Sequence, residues 1–409
     1  MQTWLRDDIQ QTAQGQEADR ILRSCTHCGF CLATCPTYQL LGDERDSPRG
    51  RIYLIKQVLE GREPSAQTQL HLDRCLTCRA CETTCPSGVQ YGRLADIGRE
   101  LVEQQVPRSR AAGLQRLTLR WLLPRRRLFG ALLRLGQQFQ PLVPSALRDK
   151  IPPRRQAPAW PADGRHRRQV LMLEGCVQPA MDPVINPQTA RLLDQLGIGV
   201  VRTPASGCCG AIDQHLGHPE TARQRIRRNI DAWWPAIEAG AEAIIVNASG
   251  CGVQVKDYAH LMADDPKYAD KAERVTTLCK DPVELLLEEE ARLEPAPDMP
   301  RAIAFQSPCT LQHGQKLGGR VEALLSRIGF SLTPVADAHL CCGSAGTYSV
   351  LQPELSRRLR QNKLANLKAG SPALIASANI GCITHLGAAA DIPVRHWLEL
   401  LQVKDGTNP

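Results

Sequence analysis

Cysteines at regular spacing are the residues of this chain that could do chemistry. Two runs near the N-terminus repeat one pattern at an offset of 50 residues: Cys25-x2-Cys28-x2-Cys31-x3-Cys35-Pro36 and Cys75-x2-Cys78-x2-Cys81-x3-Cys85-Pro86. In the bacterial ferredoxin pattern, three closely spaced thiolates bind one [4Fe–4S] cluster, and the fourth, before Pro, binds the other cluster. Zinc also binds C-x-x-C pairs, but it requires neither the third cysteine nor the Cys-Pro ending, here in duplicate. The runs therefore predict two [4Fe–4S] clusters.

The crossed ligation of this pattern divides the eight cysteines into two ligand sets. The predicted ligands of cluster 1 are Cys25, Cys28, Cys31 and Cys85. The predicted ligands of cluster 2 are Cys75, Cys78, Cys81 and Cys35.

Eight further cysteines form two groups of four with matching positions. The offsets between the groups are 133, 133, 133 and 131 residues, which indicates an internal repeat. The candidate ligands of a further cluster or metal are Cys176, Cys208, Cys209, Cys251, Cys309, Cys341, Cys342 and Cys382. Free cysteines are often small buried hydrophobes, but Cys-Cys-Gly matched twice with distant partners favours a metal or cluster in at least one copy.

Three other residues near these groups are expected to play no part in the chemistry. Cys279 lies outside the repeat and is predicted to be an ordinary thiol. His313 and His385 occur only in the second copy, and we expect them to be structural. No catalytic residue is predicted in this chain.

The elements around the first eight cysteines are predicted to be helical. The 39 residues between the two runs leave room for regular structure, and Ser47-Pro48 is a helix start. Ile52, Ile55 and Leu59 would form the apolar face of that helix. We therefore predict an α-helical ferredoxin module over residues 1–105.

Each copy of the repeat is predicted to be an α/β domain. An apolar strand runs into the first cysteine, as in QVLMLEGC and AIAFQSPC, and an amphipathic helix then ends at Gly197 or Gly329. Alternating strands and helices predict a parallel sheet, whose carboxyl edge binds ligands. The predicted fold class is therefore α + α/β: the ferredoxin module is followed by two duplicated cysteine-rich domains, at 168–292 and 300–409.

A basic, proline-rich linker is predicted over residues 106–167. Fifteen Arg or Lys residues lie from Arg108 to Arg168, against only Asp149 and Asp163, so this band carries a formal charge of +13. The rest of the chain is negative, which leaves a net charge of +8 for the whole protein. Two leucine-rich stripes at helical spacing accompany it: Leu114, Leu117, Trp121, Leu128, Leu132 and Leu135. Such a pattern fits either docking on an anionic membrane or partner, or a connector packed on its own protein.

Composition limits the remaining function classes. No stretch approaches 18 consecutive apolar residues, and the polar N-terminus has no signal-peptide core, so we expect a cytoplasmic protein. In such a reducing compartment, seventeen cysteines indicate metal binding rather than disulfides. The chain has no G-x-G-x-x-G after a strand and no P-loop, so a flavin or NAD site is expected on another chain. No nucleic-acid partner is expected, because no recognition motif accompanies the basic band.

The two ferredoxin runs followed by two Cys-Cys-Gly domains resemble the iron–sulfur subunits of membrane-associated flavin dehydrogenases. The stretches CPTYQLLGDERDSPRGRIYLIKQVLEG, HLDRCLTC, NIDAWWPAIEAGAEAI and HLCCGSAGTY look like those of glycolate oxidase iron–sulfur subunits. This resemblance implies an electron-transfer subunit of a complex that oxidises glycolate to glyoxylate, with FAD on partner subunits. It also implies a non-NAD acceptor, such as a quinone, and a peripheral position on the cytoplasmic face of the inner membrane.

Two alternatives remain open within the same resemblance. The chain could serve a lactate or glycerol-3-phosphate dehydrogenase complex, or it could be an enzyme of the heterodisulfide reductase kind. In those reductase relatives, the last cysteine of each copy belongs to a C-x-x-C pair, whereas Ala248 and Asn379 stand at the partner positions here. A conventional four-thiolate cluster, or none, then replaces the five-thiolate cluster of those relatives.

Overall fold

The computed structural model describes residues 1–144, 148–162 and 164–404. Two details of the sequence predictions lie outside these residues: the charge of Asp163 and the end of the second domain at 405–409. Residues 1–105 form a module of helices without strands. Its α-helices are α1 (Asp7–Gln10), α2 (Ala13–Ser24), α3 (Pro36–Leu41), α4 (Pro48–Leu59), α5 (Ala66–Asp73), α6 (Ala80–Thr83) and α7 (Tyr91–Gln105).

Helix α4 begins where the sequence predicted. Ser47 Oγ accepts a hydrogen bond from the backbone N–H of Gly50 (2.9 Å), and Pro48 occupies the first turn, where its missing N–H costs nothing. The apolar face of α4 packs against α7 so closely that a Cβ at Gly98 would lie 2.6 Å from Ile55 Cγ1. This packing holds the two cysteine runs in one compact module.

In the described part of the linker, one helix lies on each side of Pro124, as the leucine stripes predicted. They are α8 (Arg110–Leu122) and α9 (Arg126–Gln138), followed by a 3₁₀ turn at Gln140–Leu142. Helix α9 packs on the short helix α10 (Gln178–Met181) of the first cysteine-rich copy.

Each cysteine-rich copy contains a four-stranded parallel sheet. The strands are β1 (Arg168–Met172), β2 (Ile198–Val201), β3 (Ile244–Ile245), β4 (Cys279–Lys280), β5 (Leu293–Pro295), β6 (Ala302–Gln306), β7 (Ser331–Leu332), β8 (Leu374–Ser377), β9 (Val394–His396) and β10 (Leu401–Val403). The sheet orders are β2-β1-β3-β4 in the first copy and β7-β6-β8-β9 in the second. The same order in both copies agrees with the predicted duplication.

Helices connect these strands in the alternation that a parallel sheet requires. The longer ones begin or end at the predicted signals: Gly197 and Gly329 both have positive φ just after a helix. After α10, the helices are α11 (Ile185–Gln195), α12 (Ala211–His215), α13 (Pro219–Glu238), α14 (Ser249–Lys256), α15 (Tyr258–Leu261), α16 (Ala269–Leu278), α17 (Pro282–Leu286), α18 (Arg320–Arg327), α19 (Tyr348–Leu351), α20 (Pro353–Lys368) and α21 (Ile380–Gly387).

The two copies pack on each other around a shared apolar core. A continuous cluster of buried side chains runs from Val170 on β1 to Ile303 on β6 and Trp397 near the C-terminus. Polar contacts join the copies beside their cysteines, where Ser249 Oγ lies 2.8 Å from Thr310 Oγ1. Strand β5, which follows the first copy, pairs antiparallel with β10 of the second. The two copies therefore form one packed unit and not two separate domains.

Candidate iron–sulfur centres

The four predicted ligands of cluster 1 line one cavity. A space of about 420 Å³ is bounded by all four cysteines, together with the loop from Thr26 to Phe30 and the side of α4. The cysteines concerned are Cys25, Cys28, Cys31 and Cys85. Cys28 is exposed and Cys31 partly exposed, so this cavity lies at the protein surface.

The four predicted ligands of cluster 2 line a second cavity beside the first. This space, of about 310 Å³, is bounded by Cys35, Cys75, Cys78 and Cys81. Tyr91, at the start of α7, borders both cavities, and Cys81 also reaches the first. The two runs are thus interleaved, with the fourth cysteine of each run beside the first three of the other.

A fully buried arginine stands beside the second cavity. The side chain of Arg51 on α4 is 1% exposed, and its Nη1 lies 4.0 Å from Cys35 Sγ and 3.1 Å from Thr37 Oγ1. Its Nη2 pairs with the equally buried Asp46 (3.2 Å). Burial acts to raise the pKa of the Cys75 thiol, but the charges of Arg51 and Arg99, together with hydrogen bonds from Thr77 and Tyr91, outweigh it and lower that pKa. The cationic surroundings favour the thiolate form that binds iron.

Asp46, Asp43 and His71 bring three metal-binding groups together nearby. The carboxylate of Asp46, however, already accepts from Arg51 and from Arg74, whose Nη1 lies 2.9 Å away. The single negative charge of this carboxylate is already compensated by two guanidinium groups, so the site does not attract a further cation. This cluster is therefore a buried ion-pair network that supports the cysteine loop.

The cysteines of the second copy form a compact set of four thiols. Cys309 Sγ lies 3.8 Å from Cys341 Sγ, and Cys342 Sγ lies 3.3 Å from Cys382 Sγ. Asn379 Nδ2 donates to Cys382 Sγ (3.6 Å). The site thus offers four sulfur ligands and a hydrogen-bond donor.

This second-copy set abuts the ferredoxin module. Cys78, a predicted ligand of cluster 2, packs in one apolar cluster with Cys309 and Cys341. Burial and the neighbouring Cys309 thiol raise the pKa of Cys78. Tyr348 belongs to the same cluster, and its buried Oη has no hydrogen-bond partner among the described residues. Cluster 2 and the second-copy set are therefore neighbours across the domain boundary.

The cysteines of the first copy lie together. Hydrogen bonds connect Cys176 with Cys208 and Cys209 with both Cys208 and Cys251. The hydrogen bonds from Cys176 and Cys209, with the charge of Arg225, lower the pKa of Cys208. The largest charge interactions of these thiols are with each other and with residues of their own copy.

The residues predicted to be structural have structural partners. Cys279 is buried in strand β4. His313 Nδ1 lies 3.0 Å from Thr83 Oγ1, and its Nε2 lies 2.9 Å from the carbonyl of His339. His385 Nε2 lies 3.2 Å from Ser356 Oγ. His313 thus joins the second copy to α6 of the ferredoxin module.

The donor sets suit iron–sulfur clusters. All seventeen cysteines are free thiols, and each of the two predicted sets of four lines one of the two adjoining cavities. Sulfur-only sets of four are the ligands that [4Fe–4S] clusters use. The chemistry of these residues therefore fits the cofactor that their spacing predicted.

Comparisons with known proteins agree with this geometry. The 4Fe-4S dicluster domain family matches residues 21–89, and the Cysteine-rich domain family matches residues 170–256 and 303–387. The glycolate oxidase iron-sulfur subunit of Escherichia coli (strain K12) is 56% identical over 405 residues, 98% of each chain. A probable glycolate oxidase iron-sulfur subunit of Bacillus subtilis (strain 168) is 33% identical over 416 residues, 93% of each.

The chain belongs to the family of glycolate oxidase iron–sulfur subunits. A more distant relative, the lactate utilization protein A of an Exiguobacterium species, is 23% identical over 238 residues, 57% of this chain and 96% of that protein. The predictions of an oxidoreductase component, of iron–sulfur cofactors and of a helical module followed by two cysteine-rich domains are confirmed.

The sequence predictions overlooked three buried side chains beside the cysteines. Arg51 lies in helix α4, for which the sequence predicted only an apolar face. Tyr348 ends the stretch HLCCGSAGTY but was not singled out, and Lys363 lies in no motif, although comparison of the two copies of the repeat could have identified it. All three act through burial and charge, which spacing does not encode.

Proposed function

We propose that this chain carries single electrons from the flavin-bearing subunits of a glycolate-oxidising complex to a non-NAD acceptor. The observation that supports this most directly is the succession of three adjoining cysteine sets, from the exposed Cys28 through Cys78 to the second copy at Cys309. No flavin or dinucleotide motif accompanies them in the sequence. Such a succession suits electron transfer and leaves the chemistry at the substrate carbon to another subunit.

The ligand sets follow the two cavities. We assign Cys25, Cys28, Cys31 and Cys85 to cluster 1, and Cys75, Cys78, Cys81 and Cys35 to cluster 2. When bound, such clusters supply one-electron carriers, with potentials set by net charge, hydrogen bonds and exposure. Burial and the charge of Arg51 distinguish the second set from the partly exposed first.

A third centre is assigned to the second cysteine-rich copy. Its four thiols, of Cys309, Cys341, Cys342 and Cys382, suit a conventional four-thiolate cluster. Its place against Cys78 makes it the neighbour of cluster 2. We propose domain boundaries after residues 105, 167 and 292, which separate the ferredoxin module, the linker and the two cysteine-rich copies.

The assignment can be tested on the complete complex, purified without oxygen. Glycolate should reduce the centres, as followed by EPR, whereas the chain alone, without flavin subunits, should show no glycolate oxidation. Lactate and glycerol-3-phosphate, assayed in parallel, separate the alternative substrates. Glycolate turnover by the isolated chain would refute a pure electron-transfer role.

The linker helices favour peripheral attachment to an anionic membrane at the cytoplasmic face. Several stripe residues are at least 46% exposed: Leu114, Leu117, Trp121, Leu132 and Leu135. A connector packed on its own protein would have buried them. No helix among the described residues is long and apolar enough to cross a bilayer.

The charge of the band is partly neutralised by the rest of the chain, which the count of +13 did not reveal. Ion pairs with carboxylates outside the band are made by Arg108, Arg116, Arg120, Arg126, Arg155, Arg165 and Arg168. Arg126, for example, pairs with Glu174 (2.8 Å). Arg125 and Arg127 are exposed and suit a membrane headgroup better, at about 1 kcal/mol each.

Liposome sedimentation tests this attachment. Replacing Arg125 and Arg127 by Glu should lower pelleting with anionic vesicles at low salt, and added salt should weaken wild-type pelleting as well. The matched control replaces Arg20 and Arg23 of the ferredoxin module by Glu, the same change in charge at exposed positions. Equal pelleting of both variants would exclude the linker as the membrane-binding surface.

A further inference from the structure

A buried lysine lies beside the thiols of the second copy. Lys363, on α20, is 3% exposed, and its Nζ donates to the backbone carbonyls of Asp337 (2.8 Å) and Ala338 (3.2 Å). Within the described parts of the chain, no carboxylate lies within 4.0 Å of this ammonium group. Burying a cation without an anionic partner is costly, so the site must supply negative charge in another form.

The four cysteines can supply that negative charge once they lose their protons to bind a metal or cluster. Burial lowers the pKa of Lys363, while Cys342, Cys341, Cys309 and Cys382 each act to raise it. No carboxylate is among its largest charge interactions. When these thiols are deprotonated to bind metal, the ammonium group becomes their fixed counter-charge.

The first copy carries a neutral residue at the corresponding place. The backbone of Ala222 faces Gly210, and the backbone of Ser356 faces the equivalent Gly343, an offset of 134 residues. The same offset relates Lys363 to Asn229.

Asn229 is fully buried, and its neutral side chain forms hydrogen bonds with backbone groups of the Cys-Cys-Gly loop of the first copy. Its Oδ1 accepts from the N–H of Gly207 (2.8 Å), and its Nδ2 donates to the carbonyl of Cys208 (2.9 Å). The two copies therefore support the same loop from the same helix position, one with an amide and the other with a cation.

We propose that Lys363 is a positioning residue of the redox chain: a fixed positive charge that raises the reduction potential of a cluster held by Cys309, Cys341, Cys342 and Cys382. This inference rests on the third centre proposed above. Adding an electron to a cluster increases its negative charge, which a nearby cation stabilises, and the low dielectric of a buried site strengthens that effect. The third centre can then accept electrons from its neighbour, cluster 2.

The test is an EPR-monitored redox titration of the anaerobically purified complex. Lys363→Met removes the charge with little change in volume, and Lys363→Arg retains it. The matched control is Lys368→Met on the same helix, whose lysine is exposed and pairs with Asp391 (2.7 Å). We expect Lys363→Met to lower the ratio of reduced to oxidised third centre at least tenfold at fixed potential. For one electron, this corresponds to a reduction potential that is lower by 59 mV. Lys363→Arg and Lys368→Met should stay near wild type.

Other results distinguish the two proposals. If wild type and Cys341→Ser contain the same iron, the third centre itself is refuted, and the inference on Lys363 with it. If Cys341→Ser loses iron but Lys363→Met titrates like wild type, only the role of Lys363 is overturned. If Lys363→Met fails to retain the centre, retention by Lys363→Arg supports the need for charge, and loss in both variants contradicts it.

Discussion

The two cysteine-rich copies have the same strand order, yet their cysteines meet different surroundings. In the second copy, Cys309 and Cys341 pack against Cys78 of the ferredoxin module, and Lys363 stands behind them. In the first copy, the thiols contact each other, and Asn229 occupies the place of the lysine. Both copies contact the ferredoxin module, the first through ion pairs such as Arg79–Asp257, but only in the second do the described contacts bring the copy's cysteines against a ferredoxin cysteine.

The largest expected difference between the two copies is that a cysteine substitution in the second copy removes a whole iron–sulfur centre. Cys341→Ser should lower the iron content from about twelve to about eight atoms per chain, because one of three four-iron centres is lost. Cys208→Ser, at the equivalent position of the first copy, should leave the iron content unchanged. Iron and protein determination on anaerobically purified samples provides the measurement. Loss of four iron atoms in the first-copy variant would show that both copies bind clusters.

The loops of the two copies should also differ in their tolerance of a side chain. Gly343 has a φ of +90°, and a Cβ there would lie 2.7 Å from the carbonyl oxygen of Ser356 and 2.8 Å from Leu359 Cβ. At Gly210, with a φ of +98°, the nearest atom would be the carbonyl oxygen of Ala222 at 3.3 Å.

Gly343→Ala should therefore lower the free energy of unfolding by about 4 kcal/mol, through backbone strain and overpacking together. Gly210→Ala should cost about 2 kcal/mol, mainly from backbone strain. Urea unfolding of the two variants under anaerobic conditions gives the difference. Equal losses in both would mean that the loops have the same freedom to adjust.

Acid should destabilise the second copy first. Burial lowers the pKa of His385 and of His396 from 6.5 to about 4, and both residues lie in that copy. The unfolded chain then binds more protons than the folded one between these values, so stability is full above about pH 6.5 and falls as the pH drops towards 4.

Each of these histidines could cost up to about 3 kcal/mol at pH 4. Hydrogen exchange at pH 5 should show loss of protection in the second copy before the first. Replacing both histidines by Gln should reduce that pH dependence. Simultaneous loss in both copies, unaffected by the replacements, would contradict the assignment.

The smallest expected difference concerns a single hydroxyl group. Ser356 Oγ donates to the carbonyl of Gly343 (2.8 Å), whereas Ala222 in the first copy has no such group. Ser356→Ala should lower the free energy of unfolding by about 1 kcal/mol, the usual contribution of one hydrogen bond. The midpoint of urea unfolding measures this, and an unchanged midpoint would show that the loop does not depend on the bond.

Much of the fold followed from local and periodic features of the sequence. The helix start at Ser47-Pro48 depends on a cap that is formed within four residues, and the duplicated sheets on alternating strands and helices at a constant offset. Cysteine spacing likewise predicted a two-cluster domain, because the geometry of each cluster requires ligands at those intervals. Interactions of short range in the chain could be recognised without knowing how the modules pack.

Contacts between distant segments were decided only by the tertiary structure. Cys78 meets Cys309 across more than two hundred residues, and the arginines of the linker find carboxylates in other domains, such as Asp213 for Arg120. Neither residue spacing nor net charge specifies which surfaces are buried against each other. The sequence by itself thus determined the cofactor-binding pattern and the repeated domains. Packing decided which copy adjoins the cysteines of the second cavity and where Lys363 is buried, because burial and dielectric depend on neighbours from the whole chain.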